Sequence, residues 1–229
     1  MSVPLQIQAL VREELQRSAD PSKAPKMQQY VKSPLPFYGV QSAGQKAVWR
    51  IVRQQFPALD WNDYEESVKI LWFQATYHEE KYLALYILNG YPQHRLPRAM
   101  PLYETLLESC WNWDLLDGIA GGTVGRLLLK DPALESWLVK WSRSENFWMR
   151  RAALIGQLNL KEHTNTRLLF DFCEKMAHEK EFFIRKAIGW ALRQYARTDP
   201  EAVKHFVEQM GERLSGLSRR EALKHLKTT

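Results

Sequence analysis

The fold follows from a stretch of sequence that recurs, ENFWMRRAAL at residues 145–154. A related stretch, KEFFIRKAIG, occupies residues 180–189, and a shorter one, LSRREAL, occupies residues 217–223. The three align at a spacing of 35 residues, which leaves room for two helices in each repeat. Such a period is typical of α-helical solenoids of the HEAT or armadillo type.

The repeat keeps an arginine and an alanine at fixed positions. These are Arg150, Arg185 and Arg220, and Ala152, Ala187 and Ala222. A small alanine lets one helix approach its neighbour closely, whereas we expect the arginine, on a different face, to stay solvated. Stacked repeats would then place one arginine per repeat along one side, joined by Arg151, Lys186 and Arg219. Spaced cations of this kind suit a phosphate backbone.

Helical periodicity covers almost the whole chain. It predicts about twelve helices, near 3–17, 41–55, 61–76, 79–91, 98–111, 113–129, 146–160, 163–178, 180–197, 199–210 and 218–227, and one beginning at Pro132. Pro21 and Pro25 are expected to bracket a link, and no segment alternates as a strand would. We therefore predict an all-α protein, a right-handed solenoid of HEAT-like helix pairs, with one domain over residues 1–229.

The charge of the chain is unevenly distributed. Net charge is +6 overall, but residues 1–139 hold 14 Lys+Arg against 15 Asp+Glu, and residues 140–229 hold 18 against 11. The basic half favours a polyanionic partner. Nine tryptophans also indicate a need for large flat apolar surfaces.

Several classes of site are excluded by the spacing of reactive residues. Cys110 and Cys173 give neither a disulfide framework nor metal-ligand spacing, and the six histidines form no close pair. Neither a phosphate-binding glycine loop nor a Gly-x-Ser-x-Gly elbow is present. We expect a reduced, cytoplasmic protein with no metal or cofactor, no signal peptide and no membrane-spanning segment.

One earlier repeat breaks the pattern. Trp148 and Phe183 share an aromatic position of the repeat, and moving back by one period places Trp113 at that position and Asp117 at the alanine position. A carboxylate where a small apolar residue is expected often marks a functional site. The alternative is that Asp117 pairs with an arginine of the next repeat. Asp114, near the helix start, is expected to act as a cap.

Two further tryptophans raise the same choice between function and packing. Trp190 follows Lys186 by four residues, and Gly189 leaves room for a close approach beside it. Trp148 and Arg151 are three residues apart and share a helix face. Both tryptophans are also consistent with core positions.

The chain resembles the AlkD-type DNA alkylation repair glycosylases, a family built of HEAT-like repeats. The resemblance runs from about residue 5 to the end and rests on five segments in order. These are MQQYVK (27–32), NWDLLD (112–117), NFWMRRAA (146–153), KEFFIRKAIGWALRQYARTDP (180–200) and LSRREALKHLK (217–227). The chain departs from the family pattern at Asn112, Gly118 and Gly121-Gly122.

The resemblance implies a concave basic groove around duplex DNA and hydrolysis of the N-glycosidic bond of alkylated purines such as 3-methyladenine and 7-methylguanine. It places Trp113, Asp117 and Trp190 in the catalytic cleft. It also places Arg151 at a DNA contact near the lesion, and Tyr30 at an N-terminal aromatic position.

The predicted partner is double-stranded DNA with alkylated bases, bound by a monomer without a cofactor. The predicted DNA-binding residues are Tyr30, Trp148, Arg150, Arg151, Arg185, Lys186, Arg219 and Arg220. Two other functions stay open. One is a non-catalytic helical repeat protein that binds damaged or branched DNA, and the other is a protein-binding scaffold.

Overall fold

The computed structural model describes residues 1–226, and within that range the chain is all α-helical, without a β-strand. The α-helices are α1 Val3–Arg17, α2 Ala24–Val31, α3 Ser42–Gln55, α4 Trp61–Phe73, α5 His78–Gly90, α6 Met100–Glu108, α7 Trp113–Asp117, α8 Gly125–Leu128, α9 Glu135–Ser142, α10 Phe147–Ile155, α11 Thr166–Lys175, α12 Phe182–Tyr195, α13 Pro200–Met210 and α14 Gly216–Leu223. The predicted fold class is confirmed. Within residues 1–226, no helix is both long and apolar enough to span a bilayer.

The chain divides into two compact units, Met1–Leu102 and the part that begins at Tyr103. The single domain over residues 1–229 stays a prediction. The helix predicted at 218–227 begins earlier, at Gly216, and ends at Leu223, and residue 227 lies outside the described residues.

In the first unit, α1 packs against α3, α4 and α5. Its buried residues Ile7, Val11 and Leu15 recur every four positions and form one apolar face. Helix α2 was not predicted, and it begins at Ala24, within the link expected between Pro21 and Pro25. Pro25 lies in the first turn of that helix, where a missing N–H removes no intrahelical hydrogen bond.

In the second unit, the 35-residue period appears as a stack of helices. Helices α7, α10, α12 and α14 begin at equivalent points of successive repeats, and each contacts the next. Helices α9, α11 and α13 pack beside them. The three repeated alanines are fully buried, as close helix packing requires. The prediction of stacked helix pairs is confirmed.

The single helix predicted over 113–129 is interrupted. Helix α7 ends at Asp117, a π-helix follows over Gly118–Val124, and α8 begins at Gly125. The amide of Asn159 donates to the Gly121 carbonyl at 2.8 Å, and a Cβ on Gly125 would lie 3.0 Å from the Gly156 carbonyl oxygen. Packing against α10 and the residues after it thus accompanies the wider turn, and Asp117 lies directly before this turn.

Candidate functional site

Helix α7 begins with a cap and carries the first two candidate residues on one side. The side chain of Asn112 accepts a hydrogen bond from the backbone N–H of Trp113 at 2.8 Å. The N-cap is therefore Asn112 and not Asp114, which lies in the first turn, where it favours the helix dipole. Trp113 and Asp117 are four residues apart and share a face, and each is partly exposed.

Asp117 is bound by Arg151 of the next repeat. Nε of Arg151 donates to Oδ1 at 2.9 Å, and Nη2 donates to Oδ2 at 2.7 Å. The third nitrogen, Nη1, donates to the backbone carbonyl of Phe183 at 2.7 Å. The interpretation that Asp117 pairs with an arginine of the following repeat is therefore confirmed. The Arg151 side chain is 5% exposed, whereas Asp117 keeps 15%.

The ionisation of Asp117 is set by two opposing effects. Burial raises the pKa of its carboxyl, and the two hydrogen bonds and the charge of Arg151 oppose that rise. The charge of Asp114 adds to the rise. A carboxylate offers about four acceptor positions. Since Arg151 takes only one on each oxygen, acceptor capacity remains on the partly exposed side.

Trp148 lies in an aromatic cluster beside this pair. Its ring is 4.9 Å from that of Phe183 and 4.6 Å from that of Phe147, measured between centroids. Only 8% of Trp148 is exposed, which favours a packing role. Its assignment to DNA binding stays a prediction.

Trp190 is linked to Asp117 through helix α12. It follows Phe183 by seven residues, so the two share a face of α12 two turns apart. Because Phe183 accepts the third hydrogen bond of Arg151, one guanidinium ties the carboxylate of Asp117 to the start of this helix. Trp190 is partly exposed.

Arg150 is not the solvated cation that the repeat predicts. It makes two hydrogen bonds to Glu179, at 2.8 and 2.7 Å, and donates to the carbonyls of Ser144 and Glu145. Its side chain is 21% exposed. The expectation was wrong because Glu179 lies just before the next helix of the stack, where it neutralises the guanidinium.

The other cations of the repeat differ in their surroundings. Arg185 and Arg219 each donate to a backbone carbonyl. Lys186 pairs with Glu221 at 2.7 Å, while 41% of the lysine side chain stays exposed. Arg220 is exposed, and the described residues give it no ion-pair partner. Whether these residues bind DNA stays a prediction.

Tyr30 belongs to the first unit, where it is 73% exposed near the end of α2.

Among residues 1–226, no group of three His, Cys, Asp or Glu side chains could hold a metal ion. The site of the second unit offers a partly exposed carboxylate, Asp117, and two partly exposed indoles, Trp113 and Trp190.

Sequence reasoning missed two charged residues, Arg193 and Glu221. Glu221 accepts hydrogen bonds from both Lys186 and Arg193. A signal was available, because Arg151, Lys186 and Glu221 occupy the same position in successive repeats. The charge of that position changes sign in the last repeat.

Comparison with known proteins gives a consistent family. The model of a family described as DNA alkylation repair enzyme matches residues 11–226. A solved structure, a predicted DNA alkylation repair enzyme from Enterococcus faecalis, is 28% identical, with a TM-score of 0.85 over 93% of this chain and 98% of that chain. No curated protein sequence matches the chain.

Two Streptococcus mutans structures share the fold at 16% identity. One is the protein smu.31, with a TM-score of 0.61 over 80% of this chain and 92% of that chain. The other is AlkD2, with a TM-score of 0.60 over 80% of this chain and 90% of that chain.

Proposed function

Since the chain belongs to the DNA alkylation repair enzyme family, we propose that it is a DNA glycosylase acting on alkylated purines in duplex DNA. The reaction is hydrolysis of the N-glycosidic bond of N3- or N7-alkylated purines. The observation that supports this most is the carboxylate of Asp117, which is fixed by a buried arginine on one side and partly exposed on the other.

The chemistry of the substrate explains why one carboxylate suffices. Alkylation at N3 or N7 places a positive charge on the purine, so the base leaves without strong acid catalysis. The difficult feature is the cationic, oxocarbenium-like sugar that develops as the bond breaks, as in glycosidases. A fixed carboxylate near C1′ stabilises this charge and orients the attacking water. Asp117 has the acceptor capacity for both tasks.

Arg151 would act through Asp117. Its two hydrogen bonds fix the plane of the carboxylate, and its charge limits the rise in the Asp117 pKa that burial causes. A preorganised carboxylate needs little rearrangement when the sugar becomes cationic. The bond to the Phe183 carbonyl prevents the guanidinium from turning away.

The indoles of Trp113 and Trp190 would pack against the sugar–phosphate strand. Both residues are partly exposed, so part of each is accessible to solvent or substrate. The face of an indole excludes water and attracts cations. The sugar is cationic in the transition state, so such a face would favour it. The excess of cations in residues 140–229 supports binding to the phosphate backbone, and we propose that the protein binds DNA as a monomer.

One observation favours a second candidate, a non-catalytic protein that binds damaged or branched DNA. The bidentate pair of Asp117 and Arg151 joins two repeats, so Asp117 could serve only to hold them together. In that case DNA affinity would depend on salt, no base would be released, and Asp117→Ala would bind DNA at least as well as the wild type.

Incubation with methylated duplex DNA separates the two functions. We expect the wild-type protein to release 7-methylguanine or 3-methyladenine and to leave abasic sites, with both products measured by chromatography and mass spectrometry. Binding without release of any base from alkylated duplexes would overturn the glycosylase and leave the second candidate.

A further inference from the structure

Two cations and one tryptophan share a face of α12. Lys186, Trp190 and Arg193 follow one another at intervals of four and three residues, which places them in a row on a helix. Lys186 and Arg193 are seven residues apart, about 10 Å along the helix axis. Trp190 lies between them in that row.

The charged ends of Lys186 and Arg193 nevertheless meet at one carboxylate. Nζ of Lys186 lies 2.7 Å from Oε1 of Glu221, and Nη1 of Arg193 donates to Oε2 of the same side chain. Because the two oxygens belong to one carboxylate, the two positive charges are held close together. They would lie farther apart if each side chain extended freely.

Glu221 can reach this position because α14 packs very closely on α12. A Cβ on Gly189 would lie only 2.4 Å from the Cβ of Glu221 and 2.8 Å from the carbonyl oxygen of Ser218. The Ser218 hydroxyl also donates to the Arg185 carbonyl at 2.9 Å. Gly189 therefore permits the helix contact that brings Glu221 within hydrogen-bond distance of the two cations.

The three side chains are not a sealed ion pair. The exposed fraction is 15% for Glu221, 21% for Arg193 and 41% for Lys186. Both cations thus retain donors on the solvent side. The group has two positive charges and one negative charge. Its net charge of +1 would balance the single negative charge of one phosphodiester.

We propose that Glu221 is a positioning residue, which holds Lys186 and Arg193 as a cradle for one phosphate of the damaged strand beside Trp190. This inference rests on the proposed function, since the cradle would fix the strand whose sugar reacts at Asp117. Hydrogen bonds from Lys186 and Arg193 lower the pKa of the Glu221 carboxyl, so it stays ionised at neutral pH. Fixed donors bind a phosphate without having to be ordered first.

Glu221→Gln tests the cradle because it preserves the shape of the side chain and removes its charge. Two effects of opposite direction are expected. The affinity for undamaged duplex DNA rises several-fold, with a salt dependence steeper by up to about one unit, because one charge that opposes the phosphates is lost. The single-turnover rate of base release falls about tenfold, because the two cations are no longer held in place.

Glu201→Gln is the matched control. It changes the net charge equally, but Glu201 is a 78% exposed residue of α13, paired with Lys204 one turn later. It should alter neither the rate of release nor the salt dependence. The thermal midpoint of each variant separates these effects from a loss of folded protein.

Each outcome decides one point. The cradle is overturned if Glu221→Gln releases base at the wild-type rate, or if rate and affinity both fall in proportion to the folded fraction. If the wild-type protein itself releases no base, the proposed glycosylase activity is overturned. The cradle is then tested only by comparing the binding of wild type and Glu221→Gln to undamaged duplex DNA. A binding curve identical to that of wild type then rejects it, and tighter, more salt-dependent binding supports it.

Discussion

Each compact unit contains a carboxylate in an unusual position, and the two differ in what binds them. Glu79 in the first unit is completely buried and accepts backbone N–H groups from Tyr38, Gly39 and Val40 at 2.9–3.1 Å. Asp117 in the second unit is bound by one guanidinium and remains 15% exposed. Burial raises the pKa of both carboxyls.

The difference distinguishes a structural carboxylate from an available one. Three backbone amides of one loop occupy most acceptor positions of Glu79, and the side chain is completely buried, so it fixes that loop and is closed to solvent. Asp117 is oriented by a side chain and keeps acceptor positions on its open edge. Rigid orientation with an open edge is what electrostatic stabilisation of a transition state requires.

Replacing Asp117 by alanine should have the largest effect. In the proposed mechanism it removes the charge that stabilises the oxocarbenium-like sugar, and we expect the rate of base release to fall by about 10³-fold. Single-turnover kinetics at saturating protein measure this rate independently of affinity. If the variant keeps a tenth of the wild-type rate, Asp117 is a structural carboxylate like Glu79 and not a catalytic one.

Replacing Glu79 by glutamine should affect stability instead. The NH₂ group of glutamine is a hydrogen-bond donor and would face backbone N–H groups, which are also donors. We therefore expect the free energy of unfolding of the first unit to fall by about 3 kcal/mol. The rate of release per folded molecule should not change. Urea denaturation and titration of active molecules measure the two quantities. A slower rate at unchanged stability would mean that Glu79 contributes to catalysis.

Replacing Arg151 by methionine should move the pH dependence. The guanidinium opposes the rise in the Asp117 pKa, so its loss raises that pKa further. In the proposed mechanism the ionised carboxylate is the active form, so activity should be lost as pH falls through its pKa. The acid limb of the rate profile should therefore move to higher pH.

Arg213→Met is the control for that shift, since Arg213 forms an exposed pair with Glu174 away from the site. Its acid limb should coincide with that of the wild type. If the acid limb of Arg151→Met also coincides with that of the wild type, Arg151 does not affect the pKa of Asp117.

The smallest effect concerns two arginines of the repeat. Arg220 is exposed, whereas Glu179 already neutralises Arg150. Arg220→Met should reduce the slope of log affinity against log salt by about one unit, and Arg150→Met should reduce it by less. Fluorescence anisotropy over a range of salt concentrations measures both slopes. Equal reductions would show that Glu179 does not weaken the contact of Arg150 with DNA.

The stacking of the second unit was predictable from the sequence because an arginine and an alanine recur together every 35 residues. The repeated alanines are buried and the helices that carry them are in contact, as expected. Helix α2 was not foreseen, since Pro25 can begin a helix as well as end one. The π-helix after Asp117 was not foreseen either, and the residues that contact it and the start of α8, Asn159 and Gly156, lie more than 30 residues later.

At the site, a broken pattern identified Asp117, but only packing could identify its partner. Arg150 and Arg151 are adjacent, and about 100° of helix rotation separates them. One turns towards Glu179 and the other towards Asp117. Nothing in their spacing indicates which arginine takes which carboxylate. Glu221 shares its repeat position with Arg151 and Lys186, but its contacts with Lys186 and Arg193 depend on the close approach of α14 at Gly189.

The most direct test of the account compares the wild type with Asp117→Asn on a duplex that contains one 7-methylguanine. Both proteins are held at the same bound fraction, and the free base is measured over time. We predict that the wild type releases the base and leaves an abasic site, while the variant binds the duplex and releases the base at least about 10²-fold more slowly. Equal rates of release for the two proteins, or no release by either, would contradict the account.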